Sequence, residues 1–258
     1  MIHFIDSHVH LDLIYNARPD RIRWLNEHHC GVISWAFEPK IATVRDLKVY
    51  LERQREVLTL IHGQTGLACY FLAGIHPRNI PSDLDPDDVP ALLTPFLEDT
   101  LCLGIGEIGL ENATIREHEI FVAQLELALS LKGRRLCLGV HTPRRHKAAV
   151  TARTLRLLQN FKDLRTQVVI DHCSVETLGP VLEAGYAAGV TLSPIKTSLV
   201  ELERMTADHP EACRGIMCNT DSGTEFYEDL IELAAARHLP ERIKSAVLYD
   251  NAAEFFGL

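Results

Sequence analysis

Two closely spaced histidines near the start of the chain have a type and spacing that could bind a metal ion. His8 and His10 lie in the segment 3–12, which reads HFIDSHVHLD. Residues two apart on a β-strand point to the same face, so a strand here would project both imidazoles together, with Asp6 and Asp12 on that side. Two neighbouring imidazoles can supply half of a metal site. The alternative is a pair of hydrogen-bonded polar residues at a strand end, so the rest of the chain must distinguish the two.

Further residues with metal-binding or acid–base side chains directly follow later apolar segments. They are His76, Glu107, His141, His172 and Asp221. Histidine nitrogens and carboxylate oxygens are ligands of Zn²⁺, Mn²⁺, Fe and Ni. Paired metals about 3.5–4 Å apart activate a water and stabilise a leaving oxygen, and a carboxylate that touches this water can move its proton.

These placements require an alternation of strands and helices. Short apolar segments predict strands at 2–8, 31–37, 67–75, 101–107, 136–141, 167–172, 190–193 and 215–220. Longer amphipathic segments predict helices at 18–29, 42–62, 86–98, 115–132, 145–162, 175–187, 198–208, 223–237 and 241–256. Eight such repeats predict an α/β fold, a (β/α)₈ TIM barrel, with a doubly wound open sheet as the alternative. In a barrel the carboxyl ends of all strands meet on one face, so the polar residues would converge there.

Composition limits the class of protein. The 258 residues suit one barrel domain spanning 1–258. No apolar run approaches the roughly 18 residues of a membrane span, and the first residues lack the pattern of a secretory signal. Seven cysteines without a Cys-x-x-Cys pair favour a reducing cytoplasm. A net charge of −9 argues against an extended nucleic-acid surface, but a small phosphate-bearing substrate remains compatible with it.

The order of the motifs resembles that of the TatD-type metal-dependent hydrolases of the amidohydrolase superfamily. The similar segments are DSHVHLD at 6–12, GIHP at 74–77, GEIGL at 106–110, VH at 140–141, DHC at 171–173, TDS at 220–222 and NAAEFFGL at 251–258. The resemblance therefore extends over nearly the whole chain and implies the barrel fold together with hydrolysis of phosphodiester bonds in DNA.

The resemblance also implies roles for individual residues. One metal would be held by His8, His10, Glu107 and Asp221, and Glu107 would bridge to a second metal completed by His141 and His172. The cofactor would be one or two divalent ions, with Zn, Mn, Mg, Fe and Ni all compatible. Glu107 and Asp221 would serve catalysis, with Asp221 as base and proton shuttle, and His76 would lie beside the substrate.

The chain departs from the family pattern around these ligands. Glu111 stands where aspartate is common, and the segments around Thr142, Ser174 and Asn219 also differ from the usual pattern. The metal ligands are retained while their surroundings differ, which indicates a diverged TatD-related branch.

Three basic residues near the predicted site each have two interpretations. Arg144 and Arg145 could bind a substrate phosphate or carboxylate, or could lie at an ordinary solvated helix start. Lys196, after the seventh predicted strand, could neutralise substrate charge or could lie on the surface.

The leading hypothesis is a metal-dependent hydrolase in which a metal-bound hydroxide attacks a phosphoester bond, with a TatD-like DNase or phosphodiesterase activity. Its partner would be a small-molecule phosphoester or the phosphoester at a nucleic-acid end, without a membrane. One alternative is metal-dependent hydrolysis of an amide, ester or lactone, which the changed residues around the ligands motivate. The other is a non-catalytic or biosynthetic partner protein with a vestigial metal site. The sequence does not specify the oligomeric state.

Overall fold

Eight parallel strands form the centre of the protein. The computed structural model describes residues 3–28, 30–131, 133–208 and 212–258. The strands are β1 Phe4–Val9, β2 Cys30–Trp35, β3 Cys69–Leu72, β4 Cys102–Gly109, β5 Cys137–His141, β6 Val168–Ile170, β7 Ala187–Thr191 and β8 Ile216–Asn219. Each pairs with the next in sequence order. A parallel bridge between Val9 and Ser222 brings the end of β8 back to β1. The (β/α)₈ TIM barrel predicted from the sequence is therefore confirmed.

Helices lie between the strands. They are α1 Leu11–Ala17, α2 Asp20–Glu27, α3 Val44–Thr65, α4 Val89–Leu97, α5 Ile115–Ser130, α6 Lys147–Leu158, α7 Leu178–Glu183, α8 Leu199–Asp208, α9 Asp229–Ala235, α10 Glu241–Ser245 and α11 Asn251–Phe256. Short 3₁₀ segments occur at Pro77–Asn79, Pro86–Asp88, Gln159–Gln167 and Ala212–Arg214, and a π turn joins α10 to α11. Across the described ranges, the helices are too short or too polar for any of them to cross a bilayer.

Two apolar clusters hold the barrel and the helices together. The larger lies between the strands and the surrounding helices. The smaller includes Ile5, Val169 and Met217, which alternate along their strands with members of the larger cluster and therefore face the barrel interior. Phe255 and Phe256 of α11 pack against this interior cluster. The interior is thus a packed core, and the candidate metal ligands lie at or near the carboxyl ends of the strands.

Two of the differences between the structure and the sequence expectation concern residues around the candidate site. An unpredicted helix, α1, begins at Leu11, so Asp12 lies in its first turn and not on the strand face beside His10. Strand β7 covers Ala187–Thr191, three residues earlier than 190–193. Its alanines and glycine have low strand propensity, but pairing with β8 places them in the sheet. The helix expected at 175–187 is shortened accordingly to α7.

Candidate metal centre

A buried cluster of histidines and carboxylates occupies the carboxyl ends of the strands. Its buried members include His8, His76, Glu107, His141 and His172, each at most 7% exposed. Their ligand atoms, with those of two further residues, form three overlapping groups in which every atom lies within 4.8 Å of the others. These groups are His8 with His172 and Asp221, His8 with His10 and Glu107, and His76 with Glu107 and His141. The structure thus brings together all the ligand candidates that the sequence predicts.

Glu107 stands between two sets of histidines. Its Oε1 atom lies 2.5 Å from His141 Nδ1, 3.3 Å from His76 Nε2 and 3.5 Å from His172 Nε2. Its Oε2 atom lies 3.4 Å from His8 Nε2. Because the two oxygens face different partners, one carboxylate can contribute a ligand atom on each side.

Partners outside the cluster orient the two histidines of β1. His8 Nδ1 is 2.5 Å from Asp171 Oδ2, and His10 Nδ1 is 2.9 Å from the carbonyl oxygen of Trp35. An oxygen acceptor at Nδ1 keeps the proton on that nitrogen and leaves Nε2 as the lone-pair donor. A carboxylate or carbonyl behind the imidazole is also the usual arrangement around metal-binding histidines.

An unpaired nitrogen shows that this donor set fits a metal ion. His8 Nε2 is buried and makes no hydrogen bond to any described residue. Leaving a buried polar atom unpaired costs about 1–3 kcal/mol, and a cation between the imidazoles and carboxylates would satisfy it. Imidazole and carboxylate donors suit Zn²⁺, Mn²⁺, Fe and Ni.

Asp221 joins the β1 histidines to a lysine. Its Oδ1 lies 3.1 Å from His10 Nε2 and 3.5 Å from His8 Nε2, while its Oδ2 accepts a 2.5 Å hydrogen bond from Lys196 Nζ. The Lys196 side chain is only 14% exposed and also lies 3.0 Å from His172 Nδ1. The sequence left Lys196 open between a substrate role and a surface position, and the structure places it inside the site.

Glu111 is a second carboxylate on His141. Its Oε2 lies 2.8 Å from His141 Nε2. The Glu117 carboxylate fixes the loop that carries it, because it accepts the backbone N–H groups of Glu111, Asn112 and Ala113. The sequence identified Glu111 only as a departure from the family pattern, and its position at the end of β4 is the signal for its role.

Two of the other positions where the chain departs from the family pattern, Thr142 and Asn219, form hydrogen bonds with Asp171. Thr142 Oγ1 donates a 2.7 Å hydrogen bond to the Asp171 carbonyl, and Asn219 Nδ2 donates a 2.8 Å hydrogen bond to Asp171 Oδ1. Ser174 is bound instead to Thr177, through its backbone N–H. Sequence reasoning did not single out Asp171, although its position next to His172 could have suggested it.

The pKa values of the cluster reflect strong coupling between charges. Burial alone would lower the pKa of His8, but the carboxylates of Glu107 and Asp171 outweigh it and raise that pKa to about 10. Burial and the neighbouring Lys196 ammonium lower the pKa of His172 to about 4. The pKa of Glu107 falls well below its usual range because the surrounding histidines outweigh the cost of burial. The carboxylate therefore stays ionised, and cation binding would release the proton held by His8.

His76 is held as a hydrogen-bond donor. Its Nδ1 accepts the backbone N–H of Arg78 at 3.0 Å, so the neutral ring carries its proton on Nε2. Burial lowers its pKa to about 4, which keeps the ring neutral. The protonated Nε2 faces Glu107 and makes no hydrogen bond among the described residues.

A cavity of about 300 Å³ opens beside the cluster, above the ends of β5, β6 and β7. Its lining includes His141, His172 and Asp221, and also Arg144. Arg145 is exposed and lies outside that lining. Of the two arginines predicted to meet substrate, the structure therefore turns Arg144 toward the site.

The barrel and its buried donor cluster are the architecture of a metal-dependent hydrolase. The family model described as TatD related DNase matches residues 5–222. The chain belongs to this family, as its motifs indicated, and is an enzyme.

Individual relatives support the same conclusion. An uncharacterized metal-dependent hydrolase of Methanocaldococcus jannaschii is 27% identical over 271 residues, which cover 98% of this chain and all of that protein. The crystal structure of a TatD-like protein from Archaeoglobus fulgidus is similar with a TM-score of 0.77 and 30% identity, over 99% of this chain and all of that one. A TatD homologue from Escherichia coli shares the fold with a TM-score of 0.68 and 20% identity, over 99% and 98% of the two chains.

Proposed function

We propose that this enzyme hydrolyses a phosphoester bond at a centre of two divalent cations. The observation that carries the proposal is the position of the Glu107 carboxylate, whose two oxygens face different histidines. His8, His10, Glu107 and Asp221 would hold one cation, and Glu107, His141 and His172 the other. Cations bound there would lower the pKa of a water ligand toward about 7 and stabilise charge on the leaving oxygen.

Asp221 is the residue placed to carry the proton. Its side chain is 19% exposed, whereas that of Glu107 is 3% exposed. Of these two residues, Asp221 is therefore the one whose carboxylate reaches the cavity where a substrate and a water would meet. Asp221 would accept the proton of the attacking water and return it to the leaving oxygen. Lys196 would hold the carboxylate in place through its hydrogen bond to Oδ2.

Other side chains would position the phosphoryl group. His76 offers its Nε2–H to a phosphoryl oxygen, because its other ring nitrogen is already bound to the backbone. Arg144 lines the adjoining cavity and can donate to a second oxygen. Arg145 would contribute to substrate binding only from the rim, since it lies outside the lining.

The enzyme would work in the cytoplasm. All seven cysteines are buried, and no disulfide joins any of them within the described ranges, which suits a reducing compartment. A small phosphoester or a nucleic-acid end is the expected substrate, because the charge of −9 does not favour an extended polyanion surface.

A substrate panel with metal-loaded protein tests the proposal. We expect bis(p-nitrophenyl) phosphate to be hydrolysed, the activity to disappear with a chelator, and its return on adding Zn²⁺ or Mn²⁺. Asp221→Asn should lower kcat by about 10²–10⁴-fold, the usual contribution of general acid–base catalysis, and Glu107→Gln should also lower metal content. The exposed variant Glu183→Gln on α7 controls for the lost negative charge.

Two results would contradict the proposal. One is phosphodiester hydrolysis that survives chelation or both substitutions. The other is hydrolysis of p-nitrophenyl acetate or a lactone without any phosphodiester cleavage, which would establish the carbonyl alternative.

A further inference from the structure

The cavity beside the metal centre has its own recognition chemistry. We call it the side pocket, and the residues used to define it are Thr142, Arg144, Lys147, Val175, Ile195 and Lys196. It is continuous with the cluster, because His141, His172 and Asp221 also line it. A molecule held at the centre can therefore extend into it.

The side pocket has an excess of positive charge. Its lining carries four basic residues and two carboxylates. Two of the bases are already near acids, Arg78 with Glu111 and Lys196 with Asp221. Arg144 and Lys147, by contrast, have no carboxylate at ion-pair distance within the described ranges. In a chain of net charge −9, this local excess points to an anionic ligand.

Lys147 is held in place with a free donor. Its Nζ donates to the His172 carbonyl oxygen at 2.7 Å and to Thr142 Oγ1 at 3.1 Å. An ammonium group has three protons, so one remains for a ligand. Arg144 is exposed and makes no hydrogen bond within the described part of the chain, so all its donors remain available.

Apolar side chains flank these cations. Val175 is 44% exposed and Ile195 is 63% exposed, and both line the side pocket. They can cover the uncharged part of a ligand whose charged ends lie at the metal centre and at Arg144.

The size and lining favour a small molecule over a nucleic-acid strand. The volume of about 300 Å³ is at the lower end of small-molecule sites, which measure roughly 300–1,000 Å³. Proteins that bind single strands usually stack bases on aromatic rings, but among the described residues that line the side pocket itself there is no phenylalanine, tyrosine or tryptophan.

We propose that the side pocket binds a second anionic group, a carboxylate or a terminal phosphate, on a small phosphoester whose scissile group lies at the metal centre. Arg144 and Lys147 are the cations that contact this group, and Val175 and Ile195 cover the spacer. The inference rests on the proposed phosphoester hydrolysis and identifies its substrate class.

A series of matched esters tests it. Three p-nitrophenyl phosphodiesters would carry an n-butyl, a 3-carboxypropyl or a 3-phosphonopropyl group as the second substituent. We expect the two acidic esters to have a KM about 10- to 100-fold below that of the butyl ester, the range for hydrogen bonds to charged groups. The acidic ester with the lower KM would identify the preferred anionic group.

Two substitutions assign the effect to the side pocket. Arg144→Met should remove most of the preference for the acidic esters, measured as the ratio of the KM of the butyl ester to the KM of each acidic ester. Lys147→Met should act in the same direction. Arg156→Met, an exposed position on the same helix as Lys147, removes the same charge and should preserve the preference. Because Arg144 is exposed and makes no hydrogen bond within the described ranges, its variant is expected to fold even if that of Lys147 does not.

The outcomes separate this inference from the proposed function. Equal KM values for the three esters, with all of them turned over, would overturn the inference alone. Loss of turnover of every ester by the metal-loaded protein would overturn the proposed function and the inference together. A KM for a thymidine oligonucleotide below those of the acidic esters would overturn the small-molecule class.

Discussion

Replacing Asp171 by asparagine tests whether the negative charge next to His8 strengthens metal binding at the candidate centre. Asp171 Oδ2 lies 2.5 Å from His8 Nδ1, and its Oδ1 accepts from Asn219 Nδ2. The Asn219 Oδ1 atom has no hydrogen-bond partner among the described residues. A rotated Asn219 amide could therefore accept from the NH₂ group that the substitution introduces, while the oxygen of the introduced amide would still accept from His8. Asp171→Asn thus removes the charge and keeps the contacts.

We expect this single change to weaken metal binding measurably. Both side chains of the His8–Asp171 pair are fully buried, so no solvent screens the lost charge. Residues that hydrogen-bond to metal ligands typically contribute 10- to 100-fold to metal affinity, which corresponds to about 1.4–2.7 kcal/mol. The affinity of wild type and variant for Zn²⁺ would be measured by competition with a chromophoric chelator.

The control must separate local from global effects. Glu183→Gln, at an exposed position on α7, removes the same charge far from His8 and should not change the affinity. Urea unfolding of the metal-free proteins shows whether Asp171→Asn folds normally. A well-folded Asp171→Asn protein with wild-type affinity would refute the idea that Asp171 tunes His8.

Two further substitutions test charge and packing around the same cluster, and a third in α3 serves as a control. Lys196→Met should lower kcat by about 10- to 100-fold, because hydrogen bonds to charged groups contribute about 1.5–3 kcal/mol and this one holds Asp221; unchanged steady-state kinetics would contradict it. Gly189→Ala should reduce the free energy of unfolding by about 1–3 kcal/mol, because the new Cβ would lie 1.9 Å from Asp171 Oδ1. Gly63→Ala meets open space in α3 and should increase stability by about 0.5–1 kcal/mol; equal effects in urea unfolding would refute the packing argument.

The strand-end residues could be predicted from sequence because parallel buried strands have a simple pattern. An apolar run followed by a polar residue, as at His141, identifies the carboxyl end of a strand, and the barrel then fixes where that end lies. No comparable rule exists for loops. Lys196 reaches Asp221 from the loop that follows β7, and this strand ends at Thr191, before the end at 193 that the sequence predicts. Glu111 reaches His141 because the Glu117 carboxylate binds the intervening loop.

Asp12 shows a different limit. Strand alternation would place its side chain beside His10, but α1 begins immediately after the strand. A helix of seven residues is too short to show a clear periodicity, so its start is decided by tertiary contacts that local sequence does not encode. The candidate ligands could therefore be predicted from the sequence, whereas the residues that orient them became visible only in the structure.

The bridge between Val9 and Ser222 places the candidate metal centre at the junction between the first and last strands of the barrel. The His10 N–H donates to the Ser222 carbonyl oxygen and the Asp221 N–H to that of His8, so these hydrogen bonds form the seam at which the barrel closes. His10 and Asp221 are separated by 211 positions in sequence. A cation bound by both residues would link the two ends of the barrel sheet across this seam. Like a long-range cross-link, it would stabilise the fold by reducing the conformational entropy of the opened chain. Loss of the metal would then weaken this junction, so the first and last strands of the metal-free enzyme would separate more readily.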